Sequence, residues 1–434
     1  MVAVDMVGGR PVSQPIVIGL CGSYRSGCST VADFLVDRHG YQLVTLSDEV
    51  RRLAAEEYGL DPTSRECLQD AGNRVRAEEQ PDYLATWVMS QVDAARPFVV
   101  LDAIRNVAEV VALRKAYAGF FLLGVDADYL VRRDRALKKD TLAQFEATDA
   151  RDAGEDTVYG QQVRLCMGFA DAILRNNDDI TRLDAPGDTE RLTSSIDRYH
   201  RLFSQAEAGE ASPDELLMGI ADDAAMASRC LQRQVGAVIC TGENEGQEIL
   251  AVGQNNPPGT ERPCKVLFKM CYREYVRQHR KYTCSSCGTV LENLKCPECG
   301  VEFERRGLAG KELDYCRSLH AEEHAIVQLA KRPGSIPPGS ELYTTTFPCF
   351  LCAKKIAAVG ITRVVYADPY PMGEAYELLN RAHVTLEPFQ GIKSKAFHRV
   401  FTRPPTLAAE VIDNLANRIG PSNEISVAEA PKGC

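Results

Sequence analysis

Apolar and polar positions along the chain fall into short runs separated by polar, glycine-rich joints. "PIVIGL" (15–20), "RPFVVLDAIR" (96–105) and "GFFLLGVDA" (119–127) are apolar runs of strand length. Between them the apolar residues recur at helical spacing, beginning with the stretch Thr30–Val36. Buried strands alternating with amphipathic helices predict a parallel α/β sheet. "FSQAEAGEASPDE" (203–215) is small, polar and acidic and reads as a linker. Beyond it, "ELLMGIADDAAMASRC" (215–230) has helical periodicity, and "QVGAVICT" and "EILAVGQN" read as strands around the turn-rich "GENEGQ". A polar, cysteine-bearing segment (264–316) interrupts this pattern, which resumes with "ELYTTT", "AKKIAAVG", "RVVYA" and "AYELLNRA". The tail 404–434 ends in "GPSNEISVAEAPKGC" and carries little that could pack. The expected class is α/β in two domains, 1–205 and 214–403, with 264–316 inserted into the second.

Composition narrows the reading. A chain of 434 residues exceeds one ordinary domain, and its 45% apolar and 25% charged residues suit globular cores. A net charge of -10 gives no chain-wide attraction to nucleic acid or anionic membrane. No apolar run reaches the roughly 18 residues of a membrane span, and the opening residues lack a secretory layout. The expectation is a cytoplasmic protein without membrane contact. In a reducing compartment, close pairs among the sixteen cysteines more often mean metal than disulfide.

"HAEEH" (320–324) and "FPCFLC" (347–352) carry the chemistry. His320, Cys349 and Cys352 offer three soft ligands to one zinc ion and leave a fourth position for water, the count of a catalytic site. Cysteines at a helix entry are stabilised as thiolates by the backbone N–H groups there. Glu322, two residues past the histidine, is placed to move protons without ligating. This H-x-E followed by P-C-x-x-C is the pattern of zinc nucleobase deaminases. A zincin pairing of His320 with His324 fails, because H-E-x-x-H needs glutamate where Ala321 stands.

"CSSCGTVLENLKCPECG" sets Cys284, Cys287, Cys296 and Cys299 in two C-x-x-C-G turns, predicting a structural zinc ribbon that staples the insertion. Two disulfides are the competing reading. The flank "KMCYREYVRQHRKYTC" is basic and aromatic, a pattern open to RNA or triphosphate contact, though a solvated helix face explains it equally. Cys264, Cys271 and Cys316 read either as packing residues or as further ligands.

In the first half, "GLCGSYRSGCST" follows a strand and opens a helix. It fits G-x-x-x-x-G-K-[ST] at Gly22, Gly27 and Ser29, with Thr30 next, but places Cys28 where the lysine belongs. The loop could still cradle the phosphates of a nucleotide, with or without Mg2+. Arg25 is the candidate replacement cation. Kinase activity is opposed by Cys28.

Four stretches resemble successive motifs of the deoxycytidylate (dCMP) deaminase family: "MASRCLQRQVGAVIC", "AVGQNNPPGT", "LHAEEHAI" and "LYTTTFPCFLCAKKIAAVGITRVVYADPY". The resemblance implies a cytidine-deaminase-like α/β/α domain, with His320, Cys349 and Cys352 as zinc ligands and Glu322 as proton shuttle. It also implies that Asn255 contacts the deoxyribose, that Ala321 offers its backbone N–H to the base, and that Arg229 and Tyr370 reach the phosphate. Gln254 departs from the family's usual tyrosine. Residues 15–200 resemble nucleoside monophosphate kinases in outline, through "TLSDEVRRLA" (Asp48, Arg51) and "VVLDAIRN" (Asp102, Arg105). A P-loop nucleotide-kinase-like domain ahead of such a deaminase resembles the bacterial antiviral dCTP/dCMP deaminases. That implies depletion of dCTP or dCMP during phage infection, a nucleotide effector, a small regulatory RNA and homo-oligomers. The alternatives are a dCMP deaminase serving dTTP synthesis, or a deaminase acting on tRNA or single-stranded DNA.

Overall fold

A computed structural model describes residues 6–7, 10–11, 15–93, 95–155, 157–177, 186–204, 209–242, 246–279, 282–283, 286–287, 289–291, 298–300, 316–334, 336–368 and 373–401. A ribbon of β1 (Met6–Val7) and β2 (Arg10–Pro11) precedes β3 (Ile16–Cys21), α1 (Cys28–His39), β4 (Gln42–Thr45), α2 (Leu46–Glu56), α3 (Arg65–Glu78) and α4 (Tyr83–Gln91). Next come β5 (Phe98–Asp102), α5 (Val107–Ala116), β6 (Phe120–Asp126), α6 (Tyr129–Ala136), α7 (Leu142–Ala153), α8 (Val163–Phe169), β7 (Ala172–Arg175) and α9 (Pro186–Ser204). The second half has α10 (Pro213–Met226), β8 (Gly236–Cys240), β9 (Ile249–Gln254), α11 (Cys264–Leu267), α12 (Tyr272–His279), β10 (Tyr282–Thr283), β11 (Val290–Leu291) and α13 (Ala321–Ala330). It closes with β12 (Glu341–Thr344), α14 (Phe350–Ala358), β13 (Arg363–Tyr366), α15 (Gly373–Arg381), β14 (Thr385–Pro388), β15 (Gly391–Ile392) and α16 (Ser394–Val400).

The first large sheet has the order β15-β7-β6-β3-β5-β4. Its five long-run strands are parallel, which is why β3 and β6 read as unbroken apolar stretches: helices cover both faces. The second has the order β14-β13-β12-β8-β9, with β12, β13 and β14 parallel, β8 antiparallel to β12, and β9 antiparallel to β8.

The halves are joined by more than a linker. The segment 391–401, counted with the second domain on sequence, returns to the first: β15 pairs antiparallel with β7, and Ile392, Ala396 and Val400 enter the core beside Leu174 and Phe203. Glu215, almost fully buried, ties the seam. It accepts from Arg198 of α9 at 2.7 Å and from the Ile392 backbone at 2.7 Å, and it completes a capping box with Ser212 at the start of α10. The expected linker is also shorter than its polarity implied. Phe203, fully buried, stacks on Phe121 at 4.3 Å in the last turn of α9, and Pro213 already opens α10. Composition marked the stretch as a joint, but one aromatic and one cap decided its ends.

Candidate active site

Two helices of the second half begin at the same place. His320 is the N-cap of α13 and Cys349 the N-cap of α14, with Cys352 one turn further on. The His320 Nδ1 atom lies 3.2 Å from the Cys349 sulfur and 3.4 Å from that of Cys352. All three donor atoms fall within 4.8 Å of one another, and among the described residues no other set of three metal-donor side chains does so. The helices are clamped together by Lys355 on Glu323 at 3.0 Å, while Glu323 also accepts from the His320 backbone at 3.4 Å.

The sheet approaches this pair closely because of one glycine. A side chain at Gly253 in β9 would put its first carbon 2.1 Å from the Ala321 carbonyl and 2.6 Å from the Ala325 nitrogen. Only a residue without a side chain lets β9 lie against the N-terminus of α13.

The electrostatics describe a site charged for a cation. A hydrogen bond from Cys352 holds the Cys349 thiol well below the ordinary range, with His320 adding to the effect. The same contact, together with burial, pushes Cys352 well up. Cys316 and then Cys349 hold the imidazole in its protonated form, up to about 10. Protons and thiolates here share too little room, and a dication bound by both sulfurs would replace the protons. Convergent N and S donors at the N-termini of two helices fit zinc. Glu322 is buried beside them, within hydrogen-bonding reach of Cys352, and burial raises its carboxyl above the usual range.

The other sequence candidates are placed as follows. Ala321 is the first residue of α13 and fully buried, so its N–H is one of the helix-end donors without an intrahelical partner. The Asn255 amide is engaged at both ends, accepting from the Val235 backbone and donating to the Arg233 carbonyl, each at 2.8 Å. Its visible work is to fix the 233–235 turn beside β8. Arg229 is exposed on the rim of a cavity that Cys230, Cys264, Cys271 and Cys316 also line. Tyr370 lies outside the described residues. His324 faces away from the donor triangle, its ring against the Gln254 backbone and Gln328, which removes the zincin pairing geometrically. Cys316 is the partner that sequence left unassigned. It hydrogen-bonds the ligand-type imidazole, the place where outer partners orient a metal-bound histidine.

In the insertion, the Cys287 and Cys299 sulfurs lie 3.8 Å apart, one from each C-x-x-C turn, while Cys284 and Cys296 fall outside the described residues. The aromatic flank turns inward on itself. Phe268, Tyr272 and Tyr275 pack as a cluster, with the Arg317 guanidinium over the first two rings.

In the first half, the glycine loop is closed by its own protein. Arg25 pairs with Asp140 at 3.1 Å, and Asn176 donates to the Ser26 carbonyl at 2.8 Å. Ser29, beside Thr30, donates to Asp102 at 2.8 Å. Gly27 has a left-handed φ of 101°, and a side chain on it would strike the Asn176 amide. Gly22 packs equally closely, against Ser26 and the Val125 carbonyl. Burial and Asp102 push the Cys28 thiol up to about 12, so Cys28 stays neutral and supplies no charge. Asp48 and Arg51 pair with each other on the exposed face of α2.

Known proteins place this architecture. The family model for the cytidine and deoxycytidylate deaminase zinc-binding region matches residues 211–368. Deoxycytidylate deaminase of Schizosaccharomyces pombe is 26% identical over 378 residues, covering 86% of this chain and 97% of that protein. The deoxycytidylate deaminase of Enterobacteria phage T4 is 32% identical over 149 residues, 33% of this chain and 71% of its own. The crystal structure of dCMP deaminase from cyanophage S-TIM5 with dCMP and dUMP aligns at 26% identity and a TM-score of 0.25, covering 42% of this chain and all of that one. With a histidine and two cysteines converging where the family model matches, and a phage relative covered over most of its length, the chain belongs to the deoxycytidylate deaminase family.

Proposed function

We propose that the protein hydrolyses the 4-amino group of free deoxycytidine nucleotides, converting dCMP, and dCTP where the site admits it, to the uracil nucleotide and ammonia. The observation that carries this reading is the His320–Cys349–Cys352 triangle with buried Glu322 against it. His320, Cys349 and Cys352 would hold a zinc ion, and the chemistry it would supply is acidification of water to a nucleophile at neutral pH. Glu322 would receive one water proton as oxygen adds to C4 and pass it to N3, then carry the remaining hydroxyl proton to the amine, which departs as ammonia and leaves a C4 carbonyl. Burial favours this role, because a carboxyl with a raised pKa both accepts and returns protons readily. The Ala321 N–H, free at the helix start, holds the pyrimidine ring at the site. Asn255 is the candidate contact to the deoxyribose, and Arg229 and Tyr370 are the candidate contacts to the phosphate. Cys284, Cys287, Cys296 and Cys299 would hold a second, structural zinc, which would give two metals per chain.

The near full-length likeness to the fission yeast deaminase favours dCMP as substrate. Supply of uracil nucleotide for dTTP synthesis and depletion of deoxycytidine nucleotides in phage defence use this same reaction. The defence reading further involves oligomers, a nucleotide effector and a small RNA. The deciding experiment incubates the zinc-loaded protein with dCMP, dCTP and a cytosine-containing oligonucleotide and follows ammonia and uracil product. Release from the free nucleotides alone is expected. Release from the oligonucleotide alone, or from none, overturns the reading.

A further inference from the structure

Asp368 lies two residues beyond the end of β13 and is not a member of the donor triangle, yet it reaches both segments that border the triangle. Its backbone carbonyl accepts from the Phe347 N–H at 3.0 Å, two residues before Cys349 caps α14. Its carboxylate accepts from the Arg233 guanidinium. Arg233 opens the 233–235 turn, which grips the Asn255 amide from both ends: the Arg233 carbonyl accepts from Nδ2 and the Val235 N–H donates to Oδ1, each at 2.8 Å. The next residue, Asn256, accepts at its carbonyl from the Leu319 N–H at 3.0 Å, immediately before His320. A circuit of hydrogen bonds therefore runs from the cysteines through Asp368, Arg233 and Asn255 to the histidine.

Within this circuit the carboxylate has a job apart from holding the sheet together. The strands on either side of it are joined without it, since the Thr345 N–H donates to the Gly236 carbonyl at 3.0 Å and the Gly236 N–H to the Thr345 hydroxyl at 3.2 Å. The Arg233 and Asp368 side chains are 38% and 32% exposed, and a pair so open to water adds little to stability. What a charge-assisted hydrogen bond does supply is direction. Arg164 of α8 stands 3.7 Å from the same carboxylate oxygen, outside hydrogen-bonding distance, so it contributes charge without direction.

We propose that Asp368 is a positioning residue for the nucleotide: through Arg233 it sets the 233–235 turn, and with it Asn255, against the cysteine-bearing segment fastened to its own carbonyl. The proposal rests on the deamination reading for the identity of the substrate and of the Asn255 contact. Misplacing a positioning group by about 1 Å can cost on the order of 10²-fold. A sugar contact is made alike in the bound nucleotide and in the transition state, so its loss falls on binding rather than on the chemical step.

The test uses the full, zinc-loaded chain, with steady-state deamination of dCMP and isothermal titration of dUMP. Asp368→Ala should raise the dCMP KM and the dUMP Kd at least about fivefold, with kcat within about threefold and zinc content and Tm near the parent's. Asp368→Asn keeps an acceptor for Arg233 and should recover part of the loss. In a chain already carrying Asn255→Ala, adding Asp368→Ala should cost less than about twofold more, because both act on one contact. Arg164→Ala should stay within about twofold of the parent. If Asp368→Ala does not fold, Arg233→Gln serves, with the same split expected.

Unchanged KM and Kd overturn the proposal. So do a joint fall of kcat, zinc and Tm, which would make Asp368 a structural brace, full additivity with Asn255→Ala, or an equal loss in Arg164→Ala. A parent that binds dUMP through Asp368 but releases no ammonia sinks the deamination reading and leaves this one standing. A parent that deaminates dCMP, with Asp368→Ala its equal, does the reverse, and a parent that neither binds nor reacts removes both.

Discussion

The two polar centres of this molecule are assembled in opposite ways. In the second half, the donor triangle comes from two short motifs, each fixed by the start of its own helix. In the first half, a cavity between α2, α3 and the segment after β5 draws Arg65 and Arg76 from α3, Arg105 from after β5 and Gln161 from before α8, with Asp152 of α7 holding two of them. A centre made from helix caps is local and carries a spacing that sequence displays. A centre made from scattered ion pairs exists only once the sheet and its helices have packed. The difference also predicts how each fails: the first kind loses chemistry while the fold survives, the second loses fold and site together.

The largest effect should come from Glu322→Gln. Removing one acid–base group costs about 10²–10⁴-fold in turnover, so dCMP deamination should collapse while zinc content, measured by elemental analysis, and Tm stay near those of the parent. Lost zinc would mean that the carboxylate is structural, and the contrast between the halves would weaken. Next is Gly253→Ala, which drives a methyl group into the first turn of α13. Overpacking of this kind costs about 1–3 kcal/mol, and zinc affinity should fall with stability. Retained zinc and activity would show that β9 can move aside.

Glu215→Ala probes the seam rather than either centre. It leaves Arg198 and the Ile392 N–H without their acceptor. A loss of about 2–3 kcal/mol is expected, read by urea unfolding, with the two halves separating into two transitions. A single unshifted transition would deny the seam its role. The smallest effect is a titration. The His200 imidazole, stacked on His39 at 3.9 Å, is lowered to about 4, by burial first and then by His39. Because its folded pKa lies below the ordinary 6.5, the unfolded chain binds more protons between those values. Stability is therefore fully present above about pH 6.5 and declines as the pH falls toward 4. His200→Gln should flatten that slope in a Tm-against-pH series, and an identical slope would refute it.

Much of this was legible before any coordinates. The apolar runs at 16–21, 98–102 and 120–126 are strands of one parallel sheet, because strands covered on both faces must be apolar throughout. The edge strand β4 and the short β15 escaped notice: "QLVT" alternates weakly, and a two-residue strand has no period. In "TLSDEVRRLA", the charged Asp48 and Arg51 drew attention, yet they pair in solvent while Ser47 and Val50 face the cavity. Charge alone does not say which side of a helix is inside. Cys316 gave only a position four residues before His320, with no motif to mark its contact.

The sequence by itself determined which side chains could hold a metal and move protons, since helix caps fix residue type and spacing over a few positions. It also determined the family, through motifs strung along one half of the chain. Tertiary structure alone decided that β15 and α16 would cross back onto the first sheet, that Glu215 would lock the crossing, and that three distant arginines would share one cavity. Those arrangements depend on contacts between residues tens to hundreds of positions apart. The free energy of such contacts lies in burial and charge pairing after packing, which no local pattern records.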